Sequence, residues 1–182
     1  STEMFTVVVY YPELELDDND DSTSNKKVYP KYGTSSIYTT SEGVNPTTFE
    51  VPAKEGYTFE GWATQEGVVV VDKTGRLVAS VENWTTPFGT WTITSDNKLF
   101  ETWKIEANVL IYELNGGSFE DGISTIVHLE FNAEIIKPKD PTRNGYTFAG
   151  WYTTALCKDG EEFNFTDARM PAESLTLYAK WD

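Results

Sequence analysis

The heptapeptide GYTFAGW at residues 145–151 occurs earlier in the chain as GYTFEGW at residues 56–62. The two copies agree at six of seven positions, which predicts a duplicated module. In each copy the tyrosine and the phenylalanine are two residues apart, which is the period of a half-buried strand. An unbroken strand would place the tryptophan on the opposite face, so the second glycine predicts a bulge that turns it back. We therefore expect all three aromatic side chains in a core. The alternative is a platform that stacks on a ligand.

The segments around the heptapeptides repeat as well. Residues 99–103 (LFETW) close the first half of the chain, and residues 177–181 (LYAKW) close the second. The β-prone residues 109–114 echo residues 7–10, which lie in a β-prone run at 5–11. These repeats predict two modules, residues 1–104 and 105–182.

The first module is the longer one, so we expect it to carry insertions in loops or added hairpins. One insertion is visible as the β-prone residues 68–71 and 77–81, which flank a glycine-containing turn at 72–76. This pattern predicts a hairpin. The two modules are joined by only Lys104, Ile105 and Glu106, which predicts a short, semi-rigid connection and a stalk-like arrangement.

Composition excludes several classes of function. The chain has 182 residues, of which 14% are aromatic, and it carries 29 acidic and 14 basic side chains for a net charge of -15. Binding to nucleic acid or to an anionic membrane surface is disfavoured, because both need cationic side chains. The longest apolar run, residues 68–71, is far shorter than the roughly 20 residues that span a bilayer, so we expect no membrane insertion.

An acidic segment follows the first β-prone residues. Asp17, Asn19 and Asp21 have the spacing that opens a calcium-binding loop. Ser22 occupies the position of the loop's glycine, however, and Val28 occupies that of its bidentate glutamate. We therefore expect an exposed loop without a structural metal.

Three aromatic residues of the first module form the best candidate binding feature. Trp84, Phe88 and Trp91 lie among threonine, proline and glycine residues. If they are exposed, their rings could stack on sugar rings. The alternative is that they cover the core or rim of their own module. Isolated surface aromatics are also common and need no function.

The sequence offers little catalytic chemistry. Cys157 is the only cysteine and His128 is the only histidine, so they are the only possible nucleophile and base of that type. Nothing in the sequence supplies a third, orienting residue. A phosphate-binding loop and zinc-ligand spacing are both missing from the sequence. We expect no enzyme activity and no cofactor.

At this point the motifs resemble a known family. Residues 114–117 (LNGG), Pro138 and Pro141, residues 145–152 (GYTFAGWY) and residues 175–181 (LTLYAKW) occur in that order. Together they are similar to the Listeria-Bacteroides repeat, also called the internalin B-repeat, and the resemblance covers residues 107–182.

The first module resembles a divergent copy of the same repeat over residues 4–104. It keeps the heptapeptide and the final Trp103, but Ala63 replaces the tyrosine that follows the motif's tryptophan. Glu101 stands where the second copy has Ala179, and the Asn-Gly-Gly turn is missing.

The resemblance implies a mainly β fold (β-rich α+β) of two tandem β-grasp-like modules with little helix. It also implies a non-enzymatic extracellular repeat region of a bacterial surface protein, attached to the cell surface or cell wall. Such a region would act as a stalk, spacer or adhesion module. Its partners would be proteins or glycans on a host or cell surface and neighbouring repeats of the same chain. The alternative function is a carbohydrate-binding module that uses Trp84, Phe88 and Trp91.

Overall fold

Strands make up the regular structure of the part of the chain that the computed structural model describes, residues 9–19, 25–120 and 122–182. No described residue lies in a helix, so none forms a helix able to cross a membrane. The predicted mainly β fold in two modules is confirmed. The strands are β1 (Leu14–Asp17), β2 (Lys26–Pro30), β3 (Ile37–Tyr38), β4 (Pro46–Thr47), β5 (Tyr57–Ala63), β6 (Val69–Asp72), β7 (Asn97–Ile105), β8 (Ala107–Glu113), β9 (Ile126–Glu130), β10 (Phe148–Tyr152) and β11 (Leu175–Trp181).

The chain forms two compact units. The first comprises Ser1–Lys54 and Thr58–Lys104, and the second comprises Glu55–Tyr57 and Ile105–Asp182. Each unit has its own sheet and its own hydrophobic core.

The first unit contains a seven-stranded sheet in the order β4-β3-β2-β1-β7-β5-β6. Strand β1 is antiparallel to β2 and parallel to β7. Leu14 and Leu16 alternate along β1 and are buried, so one face of the sheet covers the core. Further buried core residues are Val28, Ile37, Phe49, Val70, Val71, Trp91, Ile93 and Leu99.

The second unit contains a four-stranded sheet in the order β10-β11-β8-β9. Strand β8 is antiparallel to β9 and parallel to β11, and β10 is antiparallel to β11. Leu110 and Tyr112 of β8 alternate inward against Leu177 of β11. The core is completed by Ile135, Trp151, Met170 and Ala179.

The four central strands of the first sheet repeat the whole second sheet. The closing tryptophans, Trp103 and Trp181, give the alignment of the two units. Four residues before each of them is a leucine that pairs with the first described strand of its unit. Leu99 pairs with Leu16, and Leu177 pairs with Tyr112. Strand β1 therefore corresponds to β8, and β2 to β9. The predicted correspondence of residues 7–10 with the start of β8 is wrong, because β1 occupies that position. Residues 5–8 of the predicted 5–11 strand lie outside the described part of the chain, and residues 9–11 do not form a strand.

The additional strands of the first unit come from two insertions. Strands β3 and β4 extend the sheet beyond β2. Strand β6 pairs with β5 and continues into a bridge between Val71 and Leu77. The hairpin predicted around residues 72–76 is thereby confirmed. Its turn is held by the Asp72 carboxylate, which accepts hydrogen bonds from the backbone N–H groups of Thr74 and Arg76.

Candidate functional site

An aromatic cluster links the heptapeptide of the first unit to its closing strand. The ring of Phe59 lies 5.9 Å from that of Trp62 and 5.2 Å from that of Trp103, and both pairs meet edge to face. Phe59 and Trp62 are buried, and Trp103 packs against the core from its edge. Such pairs contribute about 0.5–1.5 kcal/mol each beyond the burial of apolar area. The cluster therefore fastens β5 to β7.

The second unit repeats this cluster. The ring of Phe148 lies 5.4 Å from that of Trp151 and 5.5 Å from that of Trp181, again edge to face. Tyr112 of β8 adds a contact, with its ring 4.9 Å from Trp151. Burial of this tyrosine raises its pKa to about 12. The core interpretation of the phenylalanine and tryptophan of each motif is confirmed.

The second glycine of each heptapeptide bends the strand as predicted. Gly61 has φ 135° and Gly150 has φ 132°, values that favour glycine. The register of β10 against β11 shifts between Phe148 and Gly150, which is the expected bulge. The bulge allows Phe148 and Trp151 to contact the same core.

The prediction that both motif tyrosines are buried is wrong for Tyr146. This side chain is 51% exposed, and the Arg143 guanidinium lies 3.9 Å from its ring centroid. The physical reason is that Tyr146 precedes β10 and lies in a turn, where its N–H donates to the Arg143 carbonyl. Tyr57 is half-buried and meets the Phe131 ring edge to face in the second unit.

A pair of asparagines was missed by the sequence interpretation. The Asn115 side chain donates from Nδ2 to the Ala179 carbonyl at 2.8 Å, and Asn19 donates in the same way to the Glu101 carbonyl at 2.9 Å. Both asparagines have positive φ, 47° and 59°. By strand register Asn19 corresponds to Asn115, and Glu101 to Ala179. An asparagine two residues after an acidic residue was the signal available in both modules.

The structural role of Asn19 accounts for part of the calcium-like spacing of Asp17, Asn19 and Asp21. The Asp17 carboxylate accepts a hydrogen bond from the Asn19 N–H at 2.8 Å and forms an ion pair with Lys98 at 3.1 Å. These two partners, the backbone N–H first, lower the pKa of Asp17. The described residues contain no group of three or more His, Cys, Asp or Glu side chains that could hold a metal ion. Asp21 and Ser22 lie outside the described residues.

The three candidate ligand-contact aromatics lie in different environments. Trp91 is fully buried and packs against Phe49 with ring centroids 5.9 Å apart, so its ring is not open to a ligand. Trp84 is half-buried at a groove lined also by Lys98 and Phe100. Phe88 is 92% exposed at the rim of a separate groove. The structure therefore does not bring them together as one stacking platform.

The groove beside Phe88 has a volume of about 340 Å³ and lies wholly within the first unit. Its lining combines apolar and polar groups: Ile37, Phe49 and Leu77 with Ser35, Thr47, Thr48 and Arg76. A rim aromatic beside hydroxyl and guanidinium groups is chemically suited to a sugar.

Cys157 and His128 do not form a catalytic pair. His128 lies on β9 and Cys157 follows β10, and these strands are the opposite edges of the second sheet. Three strand spacings separate the edges by roughly 14 Å. Burial raises the pKa of the Cys157 thiol, which therefore stays protonated near neutral pH.

The outer faces of the two sheets carry different chemistry at equivalent positions. In the first unit Lys98 pairs with Glu15 at 2.8 Å and with Asp17 at 3.1 Å, and Lys27 pairs with Glu13 at 2.7 Å. The second unit places Thr176, Ile111 and Ile126 where the first has Lys98, Glu15 and Lys27. The two units therefore share core residues and differ at their surfaces.

Comparison with known sequences identifies the same two regions. The Listeria-Bacteroides repeat domain matches residues 17–85 and 109–180. A protein of Evansella cellulosilytica named as a Gly-rich membrane protein is 34% identical over 131 residues, which are 72% of this chain and 13% of that protein. A second protein of this organism, named as a membrane protein, is 32% identical over 71% of this chain and 16% of its own length.

Internalin H of Listeria monocytogenes is 31% identical over 130 residues, which are 71% of this chain and 20% of the internalin. The chain thus spans at most 20% of the length of these relatives.

Proposed function

Because this chain belongs to the Listeria-Bacteroides repeat domain family, we propose that it is a non-enzymatic repeat region displayed at a bacterial cell surface. In this role it acts as a spacer or an adhesion module. The names of the relatives, two membrane proteins and an internalin, support the surface location.

The observation that carries this proposal is the kind of residue that the two units share. The repeated features are the Phe-Trp-Trp clusters and the asparagines that bind the closing strand, and all of them hold the fold together. A duplicated catalytic site would instead repeat polar groups at the surface. At equivalent outer positions the units differ, as Glu15 and Ile111 show. Duplication of the scaffold alone favours a structural repeat.

We also propose that each unit has a β-grasp-like fold. In each unit the first described strand of the central sheet lies parallel to the last, as β1 does to β7 and β8 to β11. This parallel central pair supports a β-grasp-like arrangement without a helix in the described residues.

A surface-display assay tests the spacer role. One, two and four copies of the chain are placed between a bacterial surface anchor and a peptide tag. A spacer predicts that binding of large antibody-coated beads increases with copy number, while labelling by a small tag-specific dye stays constant. Bead binding that is independent of copy number would contradict the spacer role. The same cells without the tag, tested for attachment to host cells, measure adhesion separately.

Glycan binding is the second candidate function, and the exposed Phe88 beside its groove is the observation that favours it. A glycan array with the purified chain tests it. Phe88→Ala should abolish any signal, whereas Trp84→Ala, which alters a different groove, should leave it unchanged. Loss of signal in both variants or in neither would argue against a site at Phe88.

A further inference from the structure

Strand β9 forms one edge of the second sheet, and some of its backbone N–H and C=O groups are available for pairing with another strand. The Tyr112 N–H donates to the Thr125 carbonyl, and the Phe131 N–H donates to the Glu106 carbonyl, both at 2.8 Å. Because hydrogen-bonding direction alternates along a strand, the backbone groups of His128 and Glu130 point away from β8.

The two ends of this edge are already satisfied. Ser124 Oγ accepts from the Ile126 N–H at 3.1 Å and donates to the Ile126 carbonyl at 2.6 Å. The Glu130 carbonyl accepts from the Ala133 N–H at 3.0 Å. Within the described residues, the His128 N–H and carbonyl and the Glu130 N–H have no hydrogen-bond partner. Both side chains are exposed, so solvent reaches this stretch.

The first unit shows what covers the equivalent edge. Strand β2 corresponds to β9, and β3 pairs with it in antiparallel register, Tyr38 opposite Tyr29 and Ile37 opposite Pro30. The next outward group, the Lys31 N–H, donates to the Ser36 carbonyl at 3.1 Å. Ile37 is 1% exposed and completes the core. A three-residue extended segment therefore satisfies this edge.

The register of the sheets transfers this pairing to the second unit. Val28 pairs with Leu14, and Val127 pairs with the equivalent Leu110, so these two valines correspond. Tyr29 then corresponds to His128, Pro30 to Leu129 and Lys31 to Glu130. The second unit has no counterpart of β3 in its sheet among the described residues.

We propose that the β9 edge of the second unit binds an extended peptide of a partner protein as an antiparallel strand. The recognised sequence is a basic residue, a β-branched apolar residue and an aromatic residue. The proposal deepens the adhesive role, on which it rests, by naming the site and the kind of partner. Main-chain hydrogen bonds supply the affinity in such strand addition, and alternate side chains supply the specificity.

Each position of this sequence follows from its opposite residue. A basic side chain would face Glu130 in a chain of net charge -15. A β-branched side chain would pack beside the half-buried Leu129, as Ile37 does beside Pro30. An aromatic side chain would lie beside His128 on the face where Ile126 is 53% exposed.

A second copy of the chain is the less suitable occupant. Antiparallel pairing of two β9 strands about His128 would set each Glu130 opposite an Ile126, which is not complementary. It would also bring together two chains that each carry a net charge of -15.

The test uses the whole chain in solution with the peptide Ser-Lys-Ile-Tyr-Thr-Thr, which follows residues 35–40 with lysine in place of Ser36. We expect NMR shift changes and slowed amide exchange at His128 and Glu130, with the Ile126 amide little affected. A peptide methylated on the tyrosine nitrogen lacks the donor to the His128 carbonyl. It should bind at least tenfold more weakly.

Protein variants complete the test. His128→Pro removes the outward N–H at an edge position where proline is tolerated, and should abolish binding. His128→Ala, the matched control, keeps the backbone N–H and loses only the side-chain contact with the aromatic residue, so it should bind far more tightly than His128→Pro. If the proline variant does not fold, the methylated peptide still decides the question.

Three outcomes would overturn the proposal. These are no shift changes at millimolar peptide, equal binding of the methylated peptide, or a dimer of the chain alone that His128→Pro dissociates. A negative result leaves the display assay for the spacer role unaffected, so the two proposals fail separately.

Discussion

At the scale of single residues, Trp151 and Tyr146 belong to one heptapeptide but lie in opposite environments. Trp151 is 2% exposed, whereas Tyr146 is 51% exposed. We expect Trp151→Ala to destabilise the second unit by about 3–5 kcal/mol, and Tyr146→Ala to have a much smaller effect. Denaturant unfolding followed by hydrogen exchange in each unit measures both. Equal losses in the two variants would contradict the assignment of Trp151 as the centre of the core.

Gly61 and Gly150 provide a second comparison between equivalent residues. Both have positive φ, so alanine should be strained at either position by roughly 1–3 kcal/mol. A Cβ at Gly61 would lie 2.3 Å from the Val71 carbonyl oxygen, whereas at Gly150 the nearest atom would be Tyr152 Cε2 at 3.8 Å.

We therefore expect Gly61→Ala to destabilise its unit more than Gly150→Ala does, because β6 must also move. Unit-resolved hydrogen exchange in denaturant provides the measurement. A larger loss for Gly150→Ala would show that β6 yields to the added methyl group.

The residues predicted from sequence were those whose environment follows from local pattern. Phe148 and Trp151 were identified as core residues because strand period and a glycine bulge determine their directions. Tyr146 was misplaced because the start of β10 depends on the turn at Arg143, which the period does not reveal. Asn19 was taken for part of a metal-like spacing, since its bond to the Glu101 carbonyl depends on a partner 82 residues away.

At the scale of elements, ion pairs between Lys98 of β7 and the carboxylates Glu15 and Asp17 of β1 link the outer faces of these two strands. The hydrogen bond from Lys98 is the largest cause of the lowered pKa of Glu15. The pKa of Asp17 is lowered first by the hydrogen bond from the Asn19 N–H and then by the one from Lys98. In return, Glu15 and Asp17 raise the pKa of Lys98. A carboxyl group whose pKa is lower in the folded state stabilises the fold at pH values above its unfolded pKa, which is near 4. This stabilisation is lost as the pH falls through the folded-state pKa. For Lys98 the contribution is lost only as pH rises above about 10.4.

The expected result is that Lys98→Met is less stable than the wild type at pH 7, with the difference shrinking below pH 3. Denaturant titrations of the first unit at several pH values provide the measurement. Lys98→Arg, which keeps the charge, should behave like the wild type. A difference that is the same at pH 2.5 and pH 7 would exclude the ion pairs as its cause.

Among the elements, the closing strands and the inserted hairpin were predictable because their signals are local. The first paired strand was not, since residues 7–10 look more β-prone than the sequence Leu-Glu-Leu-Asp of β1. That short strand is selected by its pairing with β7, in which Leu16 meets Leu99. Pairing across more than 80 residues leaves no mark in a local pattern.

At the scale of the whole molecule, the net charge of -15 should lower stability through self-repulsion. Salt screens charges over a Debye length of about 10 Å at 0.1 M. We expect the melting temperature to rise by several degrees between 10 and 300 mM sodium chloride, as measured by calorimetry. Sodium fluoride should act equally, since the effect depends on ionic strength. A flat or falling response would show that local ion pairs outweigh the overall repulsion.

The parallel pairing of β1 with β7, and of β8 with β11, determines how each unit would respond to a pulling force. Because the paired strands run in the same direction, opposite forces on the start of the first and the end of the last are applied along the ladder. All the hydrogen bonds between the two strands are then sheared together instead of being opened one by one. The aromatic cluster adds resistance at the end of each closing strand. Each unit should therefore unfold abruptly at high force when stretched from its ends, as a link that carries tension would.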